Sequence, residues 1–377
     1  MLVNEIEEEQ NKLNKEPIQK KSYTDNTDNI LPPTLSRLFL FVLFIYIIFS
    51  IRIYDIKKNT IKIENPIQIA LNIDNKYIYP CLVLLTSLLD NQANTSFYNI
   101  HILIGQKFSK RNIFKIKTLI KEKGGNNTKI NFYKIGNDFN RATHGYYISV
   151  ADYYRIALPS LLPDVDKIIY IDTDVINFKD LSEMYSINFE KNIYFKGTLD
   201  QIGLINELGN IRNIKKYTNA GVLLMNLKLI RKDGIEKQLR DYIKTHFLNH
   251  HDQTALNAVC YKNLGVLSIK YASFVFNSFD ELQKFNIQQS RLYRYRYKEL
   301  EKAFYDPTLL HYVGYVKPWH RNYNKINGEY WWYYAKKSGY YEEILRYYRF
   351  KRRIVDELLK KIPENGGLLK RKINFNE

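Results

Sequence analysis

The chain has 377 residues, 45% of them hydrophobic, with 57 lysines and arginines against 39 acids and a formal net charge of +18. That length and apolar content support one large α/β domain with attachments or two domains, and exclude a chain without a core. The charge predicts attraction to polyanions, whether nucleic acid, acidic lipid or phosphorylated small molecules, and does not choose among them. Two cysteines, Cys81 and Cys260, exclude a disulfide framework and any zinc spacing.

Residues 1–37 are polar, mixed in charge and without hydrophobic periodicity, and they carry Pro32 and Pro33, so they read as a disordered tail. Leu38 to Ile51 holds no charge. With Arg52 snorkelling and Ile53 and Tyr54 added, 38–54 is at the short limit for a membrane anchor, with a core helix as the competing reading. Residues 55–66 then form a charged stem. A late anchor, a stem and two glycosylation sequons, at Asn94 and Asn126, lead to the expectation of a single-pass membrane protein whose larger domain faces a secretory lumen.

From Ile67 strands and helices alternate. IQIALNI reads as a strand, Tyr79 to Leu89 as an apolar helix and NIHILI as a second strand. Ser109 caps the next helix, Gly124 and Gly125 end it, and KINFYKI follows as a third strand. This is the βαβαβ pattern of a parallel nucleotide-binding half. The first strand is followed by NIDNKY, with Asp74 and Tyr77, and not by a glycine-rich phosphate loop. A diphosphate bound here must have its charge met by a metal or by basic side chains.

Ser149 is placed to cap a helix VADYYRIAL that carries Arg155 and closes at Pro159. Next comes KIIYIDTD, residues 167–174. Four apolar residues without alternation stop at Asp172 and Asp174, as a strand buried on both faces would. Residues two apart on an extended backbone point to one side, so the two carboxylates can converge at the carboxyl edge of a sheet, where open α/β sheets bind ligands. Two hard oxygen donors suit Mg²⁺ or Mn²⁺. A plain polar turn explains the same residues, whereas a calcium loop does not, because Asn177 stands where that loop needs glycine.

Later come the strand-like GVLLMNL behind Asn219, a long amphipathic helix from about Ile230, and a helix opened by His251, Asp252 and Gln253. Residues 309–319, LLHYVGYVKPW, offer His311 as a third metal donor, Gly314 for close backbone approach and Lys317 as a point charge for phosphate.

Taken together and in order, NIDNKY, YYRIALPSLLPDVDKIIYIDTDV, YTNAGVLLMNL, HDQTALN and HYVGYVKPW resemble the glycosyltransferase family 8 pattern, the lipopolysaccharide galactosyltransferase and glycogenin group. The resemblance implies an α/β GT-A fold over 67–335, a UDP-sugar donor, a divalent metal (Mn²⁺, with Mg²⁺ as the other candidate) and transfer with retention. Carried over by motif, it implies that Asp172, Asp174 and His311 hold the metal, that Asp74 and Tyr77 take the uracil, and that the Thr173 amide lies near the ribose. Arg155, Asn219, Ala220 and Asp252 would hold the donor sugar, Gly314 and Lys317 the phosphates. Gln253 would sit beside the anomeric carbon and Asp200 on the acceptor side. Lys76 departs from the asparagine common before the tyrosine in bacterial relatives. The acceptor expected is a glycan, glycolipid or glycoprotein.

A poor nucleophile at Gln253 favours a front-face route, with Asp252 or Asp200 as the candidate nucleophiles of the alternative. A nucleotide-sugar-binding membrane protein without catalysis is the rival reading, and no nucleic-acid module is found. The aromatic run EYWWYYAKK is expected to pack over the domain. Residues 336–377, basic and helical in spacing, are expected to form a tail that lies on an anionic membrane or is solvated.

Overall fold

The structure is a computed structural model; it describes residues 42–47 and 66–362, apart from 137–138, 140–148, 201–215, 247, 249 and 290–294. Residues 42–47 are helical and exposed. Among the described residues no helix is long and apolar enough to cross a membrane, and most of the expected anchor 38–54 and all but the last residue of the stem lie outside them.

Strands β1 (Ile67–Ile73), β2 (Tyr98–Gly105) and β3 (Thr128–Ile135) run parallel, with β4 (Lys167–Ile171) parallel to β1 on its other side. Helices α1 (Ile78–Asp90) and α2 (Lys110–Lys123) make the crossovers. As read from the sequence, Ser109 caps α2, its hydroxyl accepting from the Arg111 amide at 3.2 Å. β1 and β4 are buried along nearly their whole length, which is why their sequences are apolar without alternation.

Beyond β4 the sheet changes sense. β7 (Thr218–Asn226) is antiparallel to β4 and to β6 (Phe195–Leu199), and β8 (Leu264–Val266) completes the order β3-β2-β1-β4-β7-β6-β8. A second, small sheet joins β5 (Val175–Asn177), β10 (Leu309–His311) and β9 (Ser273–Phe274) in the order β5-β10-β9.

Three expectations change. The helix behind Ser149 is a 3₁₀ helix over Val150–Ala157, and Pro159 lies in the first turn of the helix Leu158–Leu161 instead of closing its predecessor. There its missing N–H costs nothing. The long helix from Ile230 is broken at Gly234 (φ 65°), leaving Leu227–Lys232 and α3 (Ile235–Thr245). The third concerns the boundary at 335. After α4 (His251–Cys260) and the helices Phe279–Gln289 and Tyr297–Tyr305 come α5 (Gly328–Lys337), α6 (Tyr341–Tyr347) and α7 (Arg352–Leu359), and Ile344, Leu345 and Val355 are buried in the same core as α1. Residues 336–362 therefore belong to the domain's core, while their basic side chains face out. Buried Lys115 of α2, 7% exposed, pairs with Glu343 of α6 and reaches Tyr79 Oη of α1 at 3.4 Å. As expected, the aromatic run packs inward: Tyr330, Trp331 and Trp332 are at most 1% exposed.

Candidate active site

The sheet changes from parallel to antiparallel between β4 and β7, and the candidate residues gather there. β4 ends at Ile171, opposite Val222 of β7, so the next residues, Asp172 and Gly221, face each other; the Asp172 amide donates to Gly221 O at 2.7 Å. β5 leaves immediately after Asp174 and pairs with β10 in the register His311↔Val175, which brings the imidazole beside Asp174. Ligand atoms of Asp172, Asp174 and His311 lie within 4.8 Å of one another.

Each member of this trio is only partly satisfied. Asp172 Oδ1 accepts from Arg155 Nη2 at 2.8 Å and from Tyr170 Oη at 2.7 Å. Asp174 Oδ2 accepts from Lys317 Nζ, which also donates to Tyr312 O at 2.7 Å. Asp174 Oδ1 is buried without a hydrogen bond, with His311 Nε2 3.2 Å away. His311 Nδ1 is buried and unpartnered too, whereas metal-bound histidines usually anchor their second nitrogen. Gly221 forms the wall: a Cβ there would sit 2.2 Å from His311 Cε1 and 2.9 Å from Asp172 Oδ2. Orphaned carboxylate oxygen, an imidazole nitrogen and a wall cleared of side chain fit a hard divalent ion.

The electrostatics divide the two aspartates. Burial raises the Asp172 carboxyl, and Asp174 adds to that, while Arg155 opposes both. Burial also works to raise Asp174, but Lys317 and His311 overcome it and hold that carboxyl well below the usual range.

Arg155, 2% exposed, ties this trio to the next group. Its guanidinium carbon stands 4.1 Å from the Tyr170 ring centroid, and Nη1 donates to Ala220 O. Nε lies 3.0 Å from Asp252 Oδ2 but aims its hydrogen at Asp152 O, 3.1 Å away, so that carboxylate oxygen stays buried without a hydrogen bond. Burial pushes the Asp252 carboxyl up to about 7, Arg155 working against it. Asp252 is presented from the first turn of α4, whose opening residue His251 has φ 45°, a conformation that L residues rarely adopt.

Beside Asp252 lies a polar network with few open positions. Gln253 Oε1 accepts from Asn219 Nδ2 and from the Ala220 amide, both at 3.0 Å, and its Nε2 donates to Asp200 Oδ2 at 3.1 Å. Asn219 Oδ1 in turn accepts from the Gly221 amide at 2.8 Å. At the end of β1, Asp74 Oδ1 accepts from the Lys76 and Tyr77 amides at 2.8 and 3.1 Å. The Tyr77 ring meets Trp319 edge-on at 6.2 Å, and its phenol is raised by burial, then by Asp174 and Asp152. Thr173 is buried between the two aspartates, and Gly314 has φ 94°, where glycine is needed.

Asp172, Asp174, His311, Lys317, Arg155, Asp252, Gln253, Asn219, Ala220 and Asp200 are thus linked directly or through one neighbour. Sequence reasoning missed Gly221, Tyr170 and Asp152. The apolar run KIIYI disguised Tyr170 as core, and Gly221 acts by lacking a side chain, which no spacing reveals.

This mixed sheet, with a cluster of carboxylates where its parallel half ends, defines a GT-A-like glycosyltransferase fold. The chain belongs to glycosyltransferase family 8: the family model described as Glycosyl transferase family 8 matches residues 68–323. It is 28% identical to general stress protein A of Bacillus subtilis, over 49% of this chain and 65% of that protein. It is 26% identical to the lipopolysaccharide 1,3-galactosyltransferase of Salmonella typhimurium, over 45% of this chain and 49% of that one. The chain thus spans about half to two-thirds of these curated relatives. Among solved structures, galactosyltransferase LgtC in complex with donor and acceptor sugar analogs superposes with a TM-score of 0.58 at 21% identity, covering 72% of this chain and 96% of that one. The bifunctional glycosyltransferase WbbM superposes with a TM-score of 0.62 at 19% identity, over 75% of this chain and 52% of that one.

Proposed function

We propose that this chain is a retaining hexosyltransferase that moves galactose or glucose from a UDP-sugar to a hydroxyl of a glycan, lipid-linked or protein-linked acceptor. The observation that carries this reading is the trio Asp172, Asp174 and His311 around Gly221, with an orphaned carboxylate oxygen, next to the Gln253 network. Those three residues would hold Mn²⁺ or Mg²⁺, which when bound supplies Lewis-acid stabilisation of charge on the departing diphosphate.

In this reading Asp74 and Tyr77 hold the uracil and the Thr173 amide meets the ribose. Lys317, buried with its ammonium on Asp174, turns that charge toward the phosphates beside Gly314. Arg155, Asn219, Ala220 and Asp252 hold the sugar, and Asp200 faces the acceptor. Gln253 spends its carbonyl oxygen on two neighbours, so it orients the reacting carbon and does not attack it. That favours a front-face route, in which the leaving oxygen takes the acceptor proton. The uncommitted Asp252 Oδ2 is the atom a covalent route would use.

A screen of UDP-sugars, following UDP release with Mn²⁺ or with chelator, tests the proposal. Turnover of UDP-galactose or UDP-glucose that chelator abolishes is expected; no turnover or binding of any UDP-sugar in the presence of Mn²⁺ would overturn it. The same reading takes residues 38–54 as an anchor with the catalytic unit in a secretory lumen. Protection of that unit from protease in sealed vesicles is expected, and digestion of intact vesicles would refute the topology.

A further inference from the structure

Asp152 carries no role in the function proposed above, yet it lies against Arg155 of the site. It lies in the first turn of the 3₁₀ helix Val150–Ala157, three residues before Arg155. Side chains three apart on a 3₁₀ helix eclipse, so Asp152 and Arg155 share one edge. That edge faces the site, because Arg155 reaches Asp172 at 2.8 Å and Asp252 at 3.0 Å. Arg155 nonetheless serves Asp152 only at its backbone oxygen. Among the described residues the half-buried Asp152 carboxyl makes no hydrogen bond and no ion pair, and the groups that act on its charge are Asp252, Arg155, Asp172 and Asp174.

Asp252, Asp172 and Asp174 all act on this carboxyl, so a ligand lying between the metal trio and Asp252 comes beside it. A phosphate there would add its charge to those carboxyls, an arrangement that like charge opposes. Sugar hydroxyls are the complementary group: they donate to carboxyl oxygens and carry no charge. The neighbouring Asp252 Oδ2, 5% exposed as a residue and equally without a hydrogen bond, asks for the same kind of partner.

We propose that Asp152 is a donor-sugar contact that accepts a hydrogen bond from a hydroxyl of the hexose, and that it helps to select a neutral, hydroxylated sugar. The inference rests on the UDP-sugar reading of the cleft and assigns one further residue within it.

The test is a comparison of binding by the full chain with Mn²⁺: UDP alone, intact UDP-hexose, and the 2-, 3-, 4- and 6-deoxy forms of that donor. In Asp152→Ala, affinity for UDP-hexose should fall about tenfold, the loss of one hydrogen bond to a carboxyl oxygen, while UDP stays within about twofold. One deoxy donor should lose nothing further in the variant, because the hydroxyl that met the carboxyl is already gone. Asp152→Asn, which keeps an accepting oxygen, should recover part of the loss. Equal losses for UDP and UDP-hexose, or the same loss for every deoxy donor, would overturn the assignment and make Asp152 structural. Failure of the wild-type chain to bind UDP at all would instead refute the underlying reading, so the two failures are distinguishable.

Discussion

Two polar groups lie side by side at the end of β4, and they are built on opposite plans. In the trio Asp172, Asp174 and His311, the carboxylate oxygen Asp174 Oδ1 is buried without a hydrogen bond and faces His311 Nε2 at 3.2 Å. In the group Asn219, Gln253 and Asp200, almost every donor and acceptor is spent on a neighbour. A buried polar atom without a partner costs free energy, and one that lies within 4.8 Å of two other metal-ligating atoms fits a place kept for a ligand. A satisfied network instead holds geometry. Binding should therefore respond to changes in the first group, and both turnover and stability to changes in the second.

The largest effect should come from Asp174→Ala. It removes a charged ligand and leaves Lys317 without its carboxylate, so Mn²⁺-dependent UDP binding in calorimetry should vanish and turnover should fall about 10³-fold, the worth of several kcal/mol. Fold stability should fall as well, because a buried ammonium is left without the carboxylate beside it. Binding of UDP that is insensitive to both chelator and this substitution would break the comparison.

Gln253→Ala is the matching change in the second group. Turnover should fall about 10²-fold with UDP affinity nearly unchanged, as for a group felt mainly in the transition state. Because the Ala220 amide and Asn219 lose their acceptor, unfolding in urea should also show a loss of about 1–3 kcal/mol. Equal losses of nucleotide affinity and turnover would move Gln253 away from the reacting carbon.

Gly221→Ala lies on the border between the groups. Its Cβ would collide with His311 Cε1, so the imidazole must turn away. Mn²⁺-dependent UDP affinity should drop about tenfold, by analogy with the loss of an orienting contact in other metal sites. An unaltered affinity would show that His311 is not a ligand.

The smallest and most graded effect is that of pH. Burial holds the folded Asp252 carboxyl near 7, above its unfolded value, so its ionised form opposes folding at high pH. Lowering the pH from 8 to 6 protonates it, relieves that cost and weakens its pairing with Arg155. Thermal stability of the ligand-free protein should hold or rise over this window while donor turnover falls, by up to about tenfold per unit below 7. In Asp252→Asn both trends should flatten. Turnover and stability falling together in the wild type would assign the transition to another group.

The parallel half is legible in the amino-acid sequence, because each strand is a short apolar run bounded by turn residues and Ser109 marks the start of α2. Asp172 and Asp174 are legible as a pair, since extended backbone puts alternate residues on one side. The family motifs identify His311, Lys317, Arg155 and Gln253. Their convergence is not a property of spacing: it depends on the register His311↔Val175 and on β7 running antiparallel to β4.

The tail shows the same division. Helical spacing and basic charge between 336 and 362 are plain in the sequence, and they fit a membrane surface or solvent equally well. Ile344, Leu345 and Val355 are buried in the core that also holds α1, far away along the chain, so only the tertiary structure could decide that this face turns inward. Elements and motif chemistry follow from neighbours in sequence, where local geometry is fixed by backbone and caps. The wall at Gly221, the open oxygen of Asp174 and the idle carboxyl of Asp152 are relations between residues far apart along the chain. Such relations exist only once packing has chosen which strands are adjacent.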